Sequence, residues 1–409
     1  MGIKFIYGMS GCAKTTTAMK ILQNLSLNKW ICIAFTHSAV NNLKEIFLRQ
    51  SKLKIAPQKN FMTIHKFLQI PISATGDYTI IKHKKLKYLA ELVIVDEFSL
   101  IPLDIMEYLF ELSITSTNFI FVGDFIQLMP ISLNREPISL SLLNSSFSNI
   151  NLSFNEAIRI ADHLSNSVYT SEYFKKAQKM VLLHNYRNGD NVYQVLNDAL
   201  DYKFDISMGA KTNNIISLFE IPKYVKEGYI ILSSMYKHLE RAYLYLNPCI
   251  TSENEDIKNT KIGKIKVKIG DKMILLDNLD DEFVNGDVVI IKNILKDNDV
   301  EIEKENEECE NENENENKIK MKNTRIIDSK QILPYNFITC HKAQGRTISK
   351  VLLILDDLFE ITMLYTAITR AKDDIKFIKF NHLPSKTDIN AFKIMRDVIY
   401  KIPENDENK

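Results

Sequence analysis

The sequence predicts an α/β fold with two parallel-sheet cores, each of which carries a β-rich insertion. In the first third of the chain, short β-rich apolar runs alternate with segments of helical periodicity, as buried parallel strands and their covering helices do. Similar runs return later and predict a second α/β core. The predicted strands are Ile3–Tyr7, Trp30–Phe35, Leu92–Val95, Phe119–Val122, Ile215–Phe219, Tyr229–Leu232, Phe337–Thr339, Val351–Leu355 and Ile375–Phe380.

A helix is predicted directly after the second of these strands. Its apolar residues recur at helical spacing, at Ala39, Val40, Leu43, Ile46 and Phe47. Thr36 or Ser38 is placed to cap its first turn.

The two insertions have different compositions. Residues 71–87 read as a β-ribbon with a turn at Thr75–Asp77, and residues 264–332 are β-patterned, with turn signals at Gly270–Asp271 and Asn285–Asp287. Within the second insertion, residues 305–317 consist almost entirely of Glu and Asn. Such low complexity predicts a disordered acidic loop that is exposed to solvent.

The composition narrows the class of protein. The chain has 409 residues, 45% hydrophobic and 25% charged, which is ordinary for a globular protein of two or three domains. It has no signal-peptide pattern and no apolar run of about 18 residues, so we expect neither secretion nor a membrane span. Its five cysteines form no CxxC pair, which favours a reducing compartment, cytoplasmic or nuclear, over a disulfide framework or a zinc site.

The net charge of +1 conceals an uneven distribution. Residues 299–317 hold ten acids and one base, a local charge of −9, so the rest of the chain carries +10. A surplus of this size can line a groove that binds the phosphates of a nucleic acid.

A phosphate-binding loop is predicted at GMSGCAKT (Gly8–Thr15), between a strand and a helix. Lys14 is placed to reach the β- and γ-phosphates of a nucleotide, and Thr15 to ligate Mg²⁺. Ala13 stands where the common pattern has a second glycine, and its methyl group fits if φ there is negative. A turn without a ligand is the plainer alternative. The expected binding residues are Gly8, Met9, Ser10, Gly11, Cys12, Ala13, Lys14, Thr15 and Thr16.

Further residues have the chemistry of phosphoryl transfer. Asp96 and Glu97 follow four apolar residues, and we expect Asp96 to hold Mg²⁺ and Glu97 to deprotonate the attacking water. Arg187 and Arg370 are candidate arginine fingers, although either could be an ordinary surface arginine. Two further contacts to the γ-phosphate are expected, from Gln127 and from the backbone of Gly345.

The segments GDFIQLMP, TCHKAQG and LYTAITRAK resemble motifs of superfamily 1 helicases, in the branch of RecD and the phage helicase Dda. The resemblance runs from Ile3 to about Phe380 and includes residues 269–291, which are similar to an SH3-like insertion of that branch. It implies two RecA-like domains with ATP bound between them and 5′→3′ movement along single-stranded DNA. The implied domains are residues 1–135, residues 136–263 with 333–409, and the insertion 264–332.

In that family, matching residues hold the phosphates and sugars of the bound strand, contacts that fix register without reading sequence. They are Thr36, His37, Thr63, His65, Thr339, His341, Gln344 and Thr347. A lone histidine outside such motifs is more often a buried or capping side chain. The ribbon 71–87, with Tyr78 at its tip, is a candidate wedge at a single-strand/duplex junction, or simply a lysine-rich edge strand.

Several readings stay open. Related enzymes carry a glutamine upstream of the phosphate loop that reads adenine, and the sequence here begins too close to the loop to show one, so preference for ATP over other nucleotides is open. The alternatives to a DNA helicase are an RNA helicase of the compact viral type and a motor-like subunit that does not hydrolyse ATP. We expect a monomeric motor, of viral or mobile-element origin, that works with replication proteins.

Overall fold

The computed structural model describes most of the chain. The described residues are 2–23, 25–51, 53–71, 80, 88, 90–113, 117–129, 140–143, 147, 150–165, 167–200, 215–246, 256–280, 282–305, 324–355, 361–379 and 386–400. The predicted ribbon and its Tyr78 lie outside them, apart from Pro71 and Ile80. So does the predicted acidic loop, apart from Glu305.

The first sheet is parallel and has the strand order β3-β2-β4-β5-β1-β6. Its strands are β1 (Ile3–Gly8), β2 (Trp30–Ala34), β3 (Phe61–Thr63), β4 (Leu92–Asp96), β5 (Asn118–Gly123) and β6 (Gln178–Leu182). Because β1, β5 and β4 are neighbours, their carboxyl ends bring three of the predicted motifs to one edge of the sheet. Strand β6, which pairs with β1, lies well past residue 135, the expected end of the first domain.

Strands β7–β17 build the rest of the molecule. They are β7 (Ile230–Ser233), β8 (Ile257–Thr260), β9 (Gly263–Lys266), β10 (Lys272–Leu275), β11 (Val288–Ile294), β12 (Asp299–Lys304), β13 (Thr324–Asp328), β14 (Ile332–Pro334), β15 (Phe337–Thr339), β16 (Ile348–Leu355) and β17 (Ala371–Lys379). The second sheet is parallel and has the order β15-β7-β16-β17.

The prediction of a strand at Ile215–Phe219 is wrong. Only Ile215 pairs with the second sheet, through an isolated bridge to Phe377, and the chain then turns into a 3-10 helix, Leu218–Glu220. The cause is local. Ser217 and Glu220 form a capping box, in which each side chain bonds the other residue's backbone N–H, and this favours the helical turn over an extended strand.

The second insertion contains a five-stranded antiparallel sheet with the order β13-β12-β11-β10-β14. Both predicted turns are present, and Gly270 and Gly286 have the positive φ values, 91° and 97°, that favour glycine. The hairpin β8–β9 crosses the expected start at residue 264, and β14 ends past the expected end at residue 332. The likeness to an SH3 domain stays a prediction.

Helices cover both parallel sheets. They are α1 (Lys14–Leu22), α2 (His37–Gln50), α3 (Ile64–Leu68), α4 (Leu103–Ser113), α5 (Phe154–Ser165), α6 (Glu172–Lys176), α7 (Asp190–Leu200), α8 (Ile221–Lys226), α9 (Tyr236–Leu246), α10 (Cys340–Ala343), α11 (Ile361–Ile368) and α12 (Lys386–Tyr400). Helix α2 is the helix predicted after the second strand. Its cap is Thr36, whose side chain accepts a hydrogen bond from the Ala39 N–H.

One hydrophobic cluster joins the two parallel sheets. It includes Phe5 and Phe121 of the first sheet, Leu353 and Phe377 of the second, and Phe392 of α12. The edges that carry the predicted motifs therefore face a shared core. In the part of the chain that the structure describes, every helix is too short or too polar to cross a membrane.

Candidate nucleotide and nucleic-acid site

The phosphate loop (Gly8–Thr15) joins β1 to α1. Lys14 Nζ donates hydrogen bonds to the carbonyl oxygens of Gly8 and Met9, at 3.0 and 2.7 Å, so its ammonium group is held over the loop. A Cβ on Gly8 would lie 1.9 Å from the Leu182 carbonyl oxygen, and one on Gly11 would lie 2.4 Å from Asn185 Oδ1. These glycines therefore permit the chain after β6 to lie directly against the loop.

Ala13 has a left-handed backbone conformation, with φ 56° and ψ 29°. The expectation of a negative φ is therefore wrong. The loop enters α1 at this residue, and it keeps the backbone turn that a glycine would supply without strain. For an alanine this conformation costs roughly 1–2 kcal/mol.

The remaining predicted loop residues sit at the start of α1 or just before it. Cys12 is buried, and burial raises the pKa of its thiol to about 11. Thr16 lies in the first turn of α1, where its carbonyl oxygen accepts a hydrogen bond from Gln50 Nε2. The burial of Cys12 and the hydrogen bond of Thr16 are compatible with the predicted nucleotide-binding role, which stays a prediction.

Thr15 and Asp96 meet at the end of β4. Thr15 Oγ1 lies 3.1 and 3.3 Å from the two carboxylate oxygens of Asp96. Burial, and then the charge of neighbouring Glu97, raises the pKa of Asp96 above its usual range. Hydroxyl and carboxylate oxygens are the ligands that Mg²⁺ prefers, so this pair fits a magnesium ion. Glu97 follows β4 with φ 51°.

The two candidate arginine fingers converge on one serine of the loop. Arg187 Nη1 lies 3.2 Å from Ser10 Oγ, and Arg370 Nη2 lies 2.9 Å from the same atom. Arg370 is 1% exposed, and burial followed by the charge of Arg187 lowers its pKa to about 10. Among the described residues, neither guanidinium forms a salt bridge. The buried guanidinium of Arg370 and the half-buried one of Arg187, without a salt-bridge partner beside a phosphate loop, form a site for an anion.

Gln127 lies at the same edge of the first sheet, just after β5. Its Nε2 donates to Asp124 Oδ2 at 3.1 Å, while its Oε1 is buried and has no hydrogen-bond partner within the described residues. An orphaned acceptor at this edge fits the predicted contact with a bound nucleotide or its attacking water. Gly345 lies elsewhere, against Ala39 of α2, and its predicted contact with the γ-phosphate stays a prediction.

The predicted strand-binding threonines repeat one local structure. Thr36, Thr63 and Thr339 each end or follow a parallel strand and accept a hydrogen bond from the N–H three residues later. Their hydroxyl groups therefore cap α2, α3 and α10, and the helix ends that they cap face the carboxyl edges of the two sheets. Such amides suit the phosphates of a strand.

The histidines of this surface are suited to hydrogen bonding as neutral rings. Burial lowers the pKa of His37 and of His65, and the His65 ring lies 5.0 Å from that of Phe35. His341 and Thr347 are exposed on either side of the buried Gln344. The Gln344 side chain donates to the Leu128 carbonyl oxygen at 3.5 Å and so links the second domain to the first.

Two cations of this surface were not predicted. Lys342 Nζ donates to Asn285 Oδ1 at 2.8 Å, and Arg346 Nη2 donates to the Gly286 carbonyl oxygen at 2.7 Å. Burial lowers the pKa of Lys342 to about 8. The predicted turn Asn285–Asp287 of the insertion is therefore attached to the segment TCHKAQGRT, and the signal lay in the basic residues of that segment.

Two tyrosines at the cleft were not predicted either. Tyr365 accepts a hydrogen bond from the Ser10 N–H and donates one to Asp124 Oδ2, both at 2.8 Å. The Tyr186 N–H donates to the Gly11 carbonyl oxygen, and the Tyr186 ring is 71% exposed and packs edge-on against His184. Tyr365 lies inside the segment LYTAITRAK and Tyr186 directly precedes the predicted Arg187, which was the available signal.

Two family models match the chain. The model of an AAA domain matches residues 2–133, and that of the viral superfamily 1 RNA helicase core domain matches residues 284–379. The RecBCD enzyme subunit RecD of Buchnera aphidicola subsp. Schizaphis graminum is 25% identical, over 94% of this chain and 71% of that protein. The ATP-dependent DNA helicase Pif1 of Campylobacter jejuni is also 25% identical, over 71% of this chain and 69% of that protein.

Solved structures of Pif1 share the fold. One, of two coordinating Pif1 helicases at forked double-stranded DNA, has a TM-score of 0.59 at 19% identity and covers 98% of this chain and 93% of its own. Another, of Bacteroides Pif1 with ADP-AlF3 and single-stranded DNA, has a TM-score of 0.54 at 17% identity and covers 95% and 90%.

The fold and the site define an α/β protein with two RecA-like domains and a nucleotide-binding phosphate loop facing the cleft between them. The predicted resemblance is confirmed at the level of the family. The chain is similar to superfamily 1 helicases, through both family models and through its relatives RecD and Pif1.

Proposed function

We propose that this chain is an ATP-dependent DNA helicase that moves 5′→3′ along one strand and separates duplex DNA. The observation that carries the proposal is the convergence of Arg187 and Arg370 on Ser10 of the phosphate loop, which already carries Lys14. One cleft thus collects three cations from distant parts of the chain. The relatives support the same function, since Pif1 of Campylobacter jejuni is an ATP-dependent DNA helicase.

The residues of the first domain bind the nucleotide and activate water. Lys14 and the loop amides hold the phosphates, and Thr15 with Asp96 holds Mg²⁺. When bound, Mg²⁺ supplies positive charge to the phosphate oxygens. Glu97 orients the attacking water and takes its proton, while the unpaired oxygen of Gln127 helps to hold that water in place.

The two arginines connect hydrolysis to movement. Arg187 and Arg370 stabilise the charge that develops on the γ-phosphoryl group, an effect that can be worth about 10³–10⁵ in rate. Because each reaches Ser10 from a segment remote in sequence, the loss of the γ-phosphate removes the anion on which they converge. The cleft then opens and moves the strand-binding residues of one domain relative to those of the other.

The exposed ring of Tyr186 gives the nucleotide base a surface on which to stack. Stacking accepts any purine, so this contact leaves the choice between ATP and GTP to other groups.

We also propose limits for the domains. The first domain extends through β6, because this strand completes the first sheet. The insertion runs from β8 through β14, since Lys258 of β8 is buried and bonds the carbonyl oxygens of Leu295 and Asp297. The second domain takes the remaining residues, including β7 and β15–β17.

RNA is the second candidate strand, because the model that matches residues 284–379 describes a viral RNA helicase core. The contacts proposed for Thr36, Thr63 and Thr339 go to the backbone of the strand and do not by themselves distinguish DNA from RNA. The preference for DNA rests on RecD and Pif1, which are similar over a larger share of the chain.

Unwinding of tailed duplexes tests the proposal. We expect a duplex with a 5′ single-stranded tail to be separated in the presence of ATP, and an equal duplex with a 3′ tail to stay intact. The Glu97→Gln variant should bind the strand but should not separate the duplex. Deletion of residues 74–79 should abolish separation and spare strand-stimulated hydrolysis. Separation of the 3′-tailed duplex alone would contradict the proposed direction.

A further inference from the structure

Asp124 is a buried carboxylate whose charge is met by hydrogen bonds. It is 0% exposed, and in the described part of the chain no lysine or arginine forms a salt bridge with it. Oδ1 accepts from the Ile126 N–H at 3.1 Å and from the Tyr400 hydroxyl group. Oδ2 accepts from Gln127 Nε2 at 3.1 Å and from the Tyr365 hydroxyl group at 2.8 Å. Each oxygen thus accepts one bond from the segment after β5 and one from a tyrosine of a later helix.

The hydrogen bonds of Asp124 Oδ2 connect this carboxylate to the phosphate loop through Tyr365. Tyr365 accepts the Ser10 N–H at 2.8 Å, and Ser10 Oγ is the atom on which both arginines converge. Gln127 holds its unpaired oxygen at the same edge. The orientation of the Asp124 carboxylate therefore fixes two groups that face the nucleotide.

Tyr400 holds the opposite side of this carboxylate. It is the last residue of α12, is 1% exposed, and lies outside every motif that carries the family resemblance. Helix α12 is itself held in place, because Asp388 forms a 2.8 Å salt bridge with Arg159 of α5 and the Phe392 ring packs 5.3 Å from that of Tyr365.

We propose that Tyr400 is a positioning residue for nucleotide hydrolysis, acting through Asp124 on Gln127 and Tyr365. The torsion that turns a carboxylate about its last bond is broad, so the four hydrogen bonds together set its orientation, and loss of the Tyr400 hydroxyl group leaves Oδ1 with the Ile126 N–H alone. Without the Tyr400 hydroxyl group, rotation of Asp124 shifts both partners of Oδ2. A misplacement of about 1 Å at a reacting site can cost about 10²-fold in rate.

This inference rests on the proposed function and is tested by Tyr400→Phe, which removes one hydroxyl group. We expect kcat for DNA-stimulated ATP hydrolysis to fall about tenfold, equal to about 1.4 kcal/mol in the barrier. KM for ATP should change less than about twofold, because the phosphate contacts of the loop remain.

The matched control is Tyr243→Phe, which removes a buried hydroxyl group that bonds the backbone of Lys266, away from the cleft. It should lower Tm to a similar extent and leave kcat unchanged. If Tyr400 only anchors α12, the two variants will have equal kcat values, and the inference is overturned while the proposed function stands.

Asp124→Asn provides a second test that keeps Tyr400 intact. It should also lower kcat, and adding Tyr400→Phe to it should lower kcat by less than about twofold more, since both changes disturb one carboxylate. Multiplied effects would show that Tyr400 acts elsewhere and would overturn the inference. A wild-type protein without DNA-stimulated hydrolysis would overturn both the inference and the proposed function.

Discussion

At the scale of single residues, Ala13 carries backbone strain at a point that binds the nucleotide. Its φ of 56° belongs to the left-handed region, where glycine is free of the Cβ clash. We predict that Ala13→Gly raises the free energy of unfolding by about 0.5–1 kcal/mol, because relief of the clash exceeds the added entropy of the unfolded chain. Urea denaturation measures the free energy of unfolding. We expect the nucleotide affinity to stay unchanged.

The matched control is Ala18→Gly in the middle of α1, where the backbone is helical and the methyl group is buried. This change should destabilise the protein by about 1 kcal/mol or more. If Ala13→Gly lowers stability as Ala18→Gly does, the left-handed conformation at residue 13 is contradicted.

We expect Lys342, a cation of the predicted strand-binding surface, to make strand binding depend on pH. Burial, and then the charge of Lys261, lowers its pKa to about 8, so the ammonium group is charged below that pH and loses its proton as pH rises through it. We predict that affinity for single-stranded DNA falls from pH 7 to pH 9, by at most about tenfold per pH unit from this group. Fluorescence anisotropy at constant ionic strength measures the affinity.

Lys342→Arg should flatten this dependence, because a guanidinium group stays charged throughout the range. Lys330→Arg on the exposed 3-10 helix of the insertion is the control and should leave the dependence unchanged. Equal slopes in wild-type protein and Lys342→Arg would assign the pH dependence to another group.

Short sequence motifs identified which residues belong to the site, but they did not show which of these residues contact one another. Lys14, Thr15 and Asp96 could be assigned because strand-end motifs put their chemistry in a known local context. The convergence of Arg187 and Arg370 on Ser10 joins residues separated by 177 and 360 positions, and no local periodicity reports such contacts. The φ of Ala13 was mispredicted because composition alone does not specify a loop's backbone turn.

At the scale of elements, the buried strands were predictable and the short or mixed ones were not. Strands β1, β2, β4 and β5 are apolar runs and agree with prediction to within one residue at each end. Strand β3 has only three residues, and β6 at the edge of the sheet has two exposed polar residues followed by three half-buried ones, so neither stood out. The capping box at Ser217 shows how one local motif overrides an apolar run.

Three elements of the site share one local arrangement of strand, threonine and helix. A parallel strand ends and a threonine caps the next helix, which therefore begins at the carboxyl edge of the sheet, as at Thr36, Thr63 and Thr339. Helix α12 is different, because no motif marked it and its contacts with α5 and α11 became visible only in the fold. The positioning role proposed for Tyr400 depends on this packing.

At the scale of the whole molecule, two parallel sheets face one another across a shared core, and the cations of the nucleotide site come from both sides of the cleft. This architecture was predictable from the alternation of strands and helices, from the order of the quoted motifs along the chain and from the family that they resemble. The proposed direction of movement rests on that resemblance, and the proposed DNA strand rests also on the relatives, since residues that contact a backbone encode neither.

The central claim is that strand binding stimulates nucleotide hydrolysis at the phosphate loop. The most direct measurement is the rate of ATP hydrolysis without nucleic acid, with single-stranded DNA and with single-stranded RNA, using Lys14→Ala as the control. We predict strong stimulation by DNA, weak stimulation by RNA and no activity in the variant. Stimulation by RNA alone, or no stimulation in the wild-type protein, would contradict the assignment of a DNA motor.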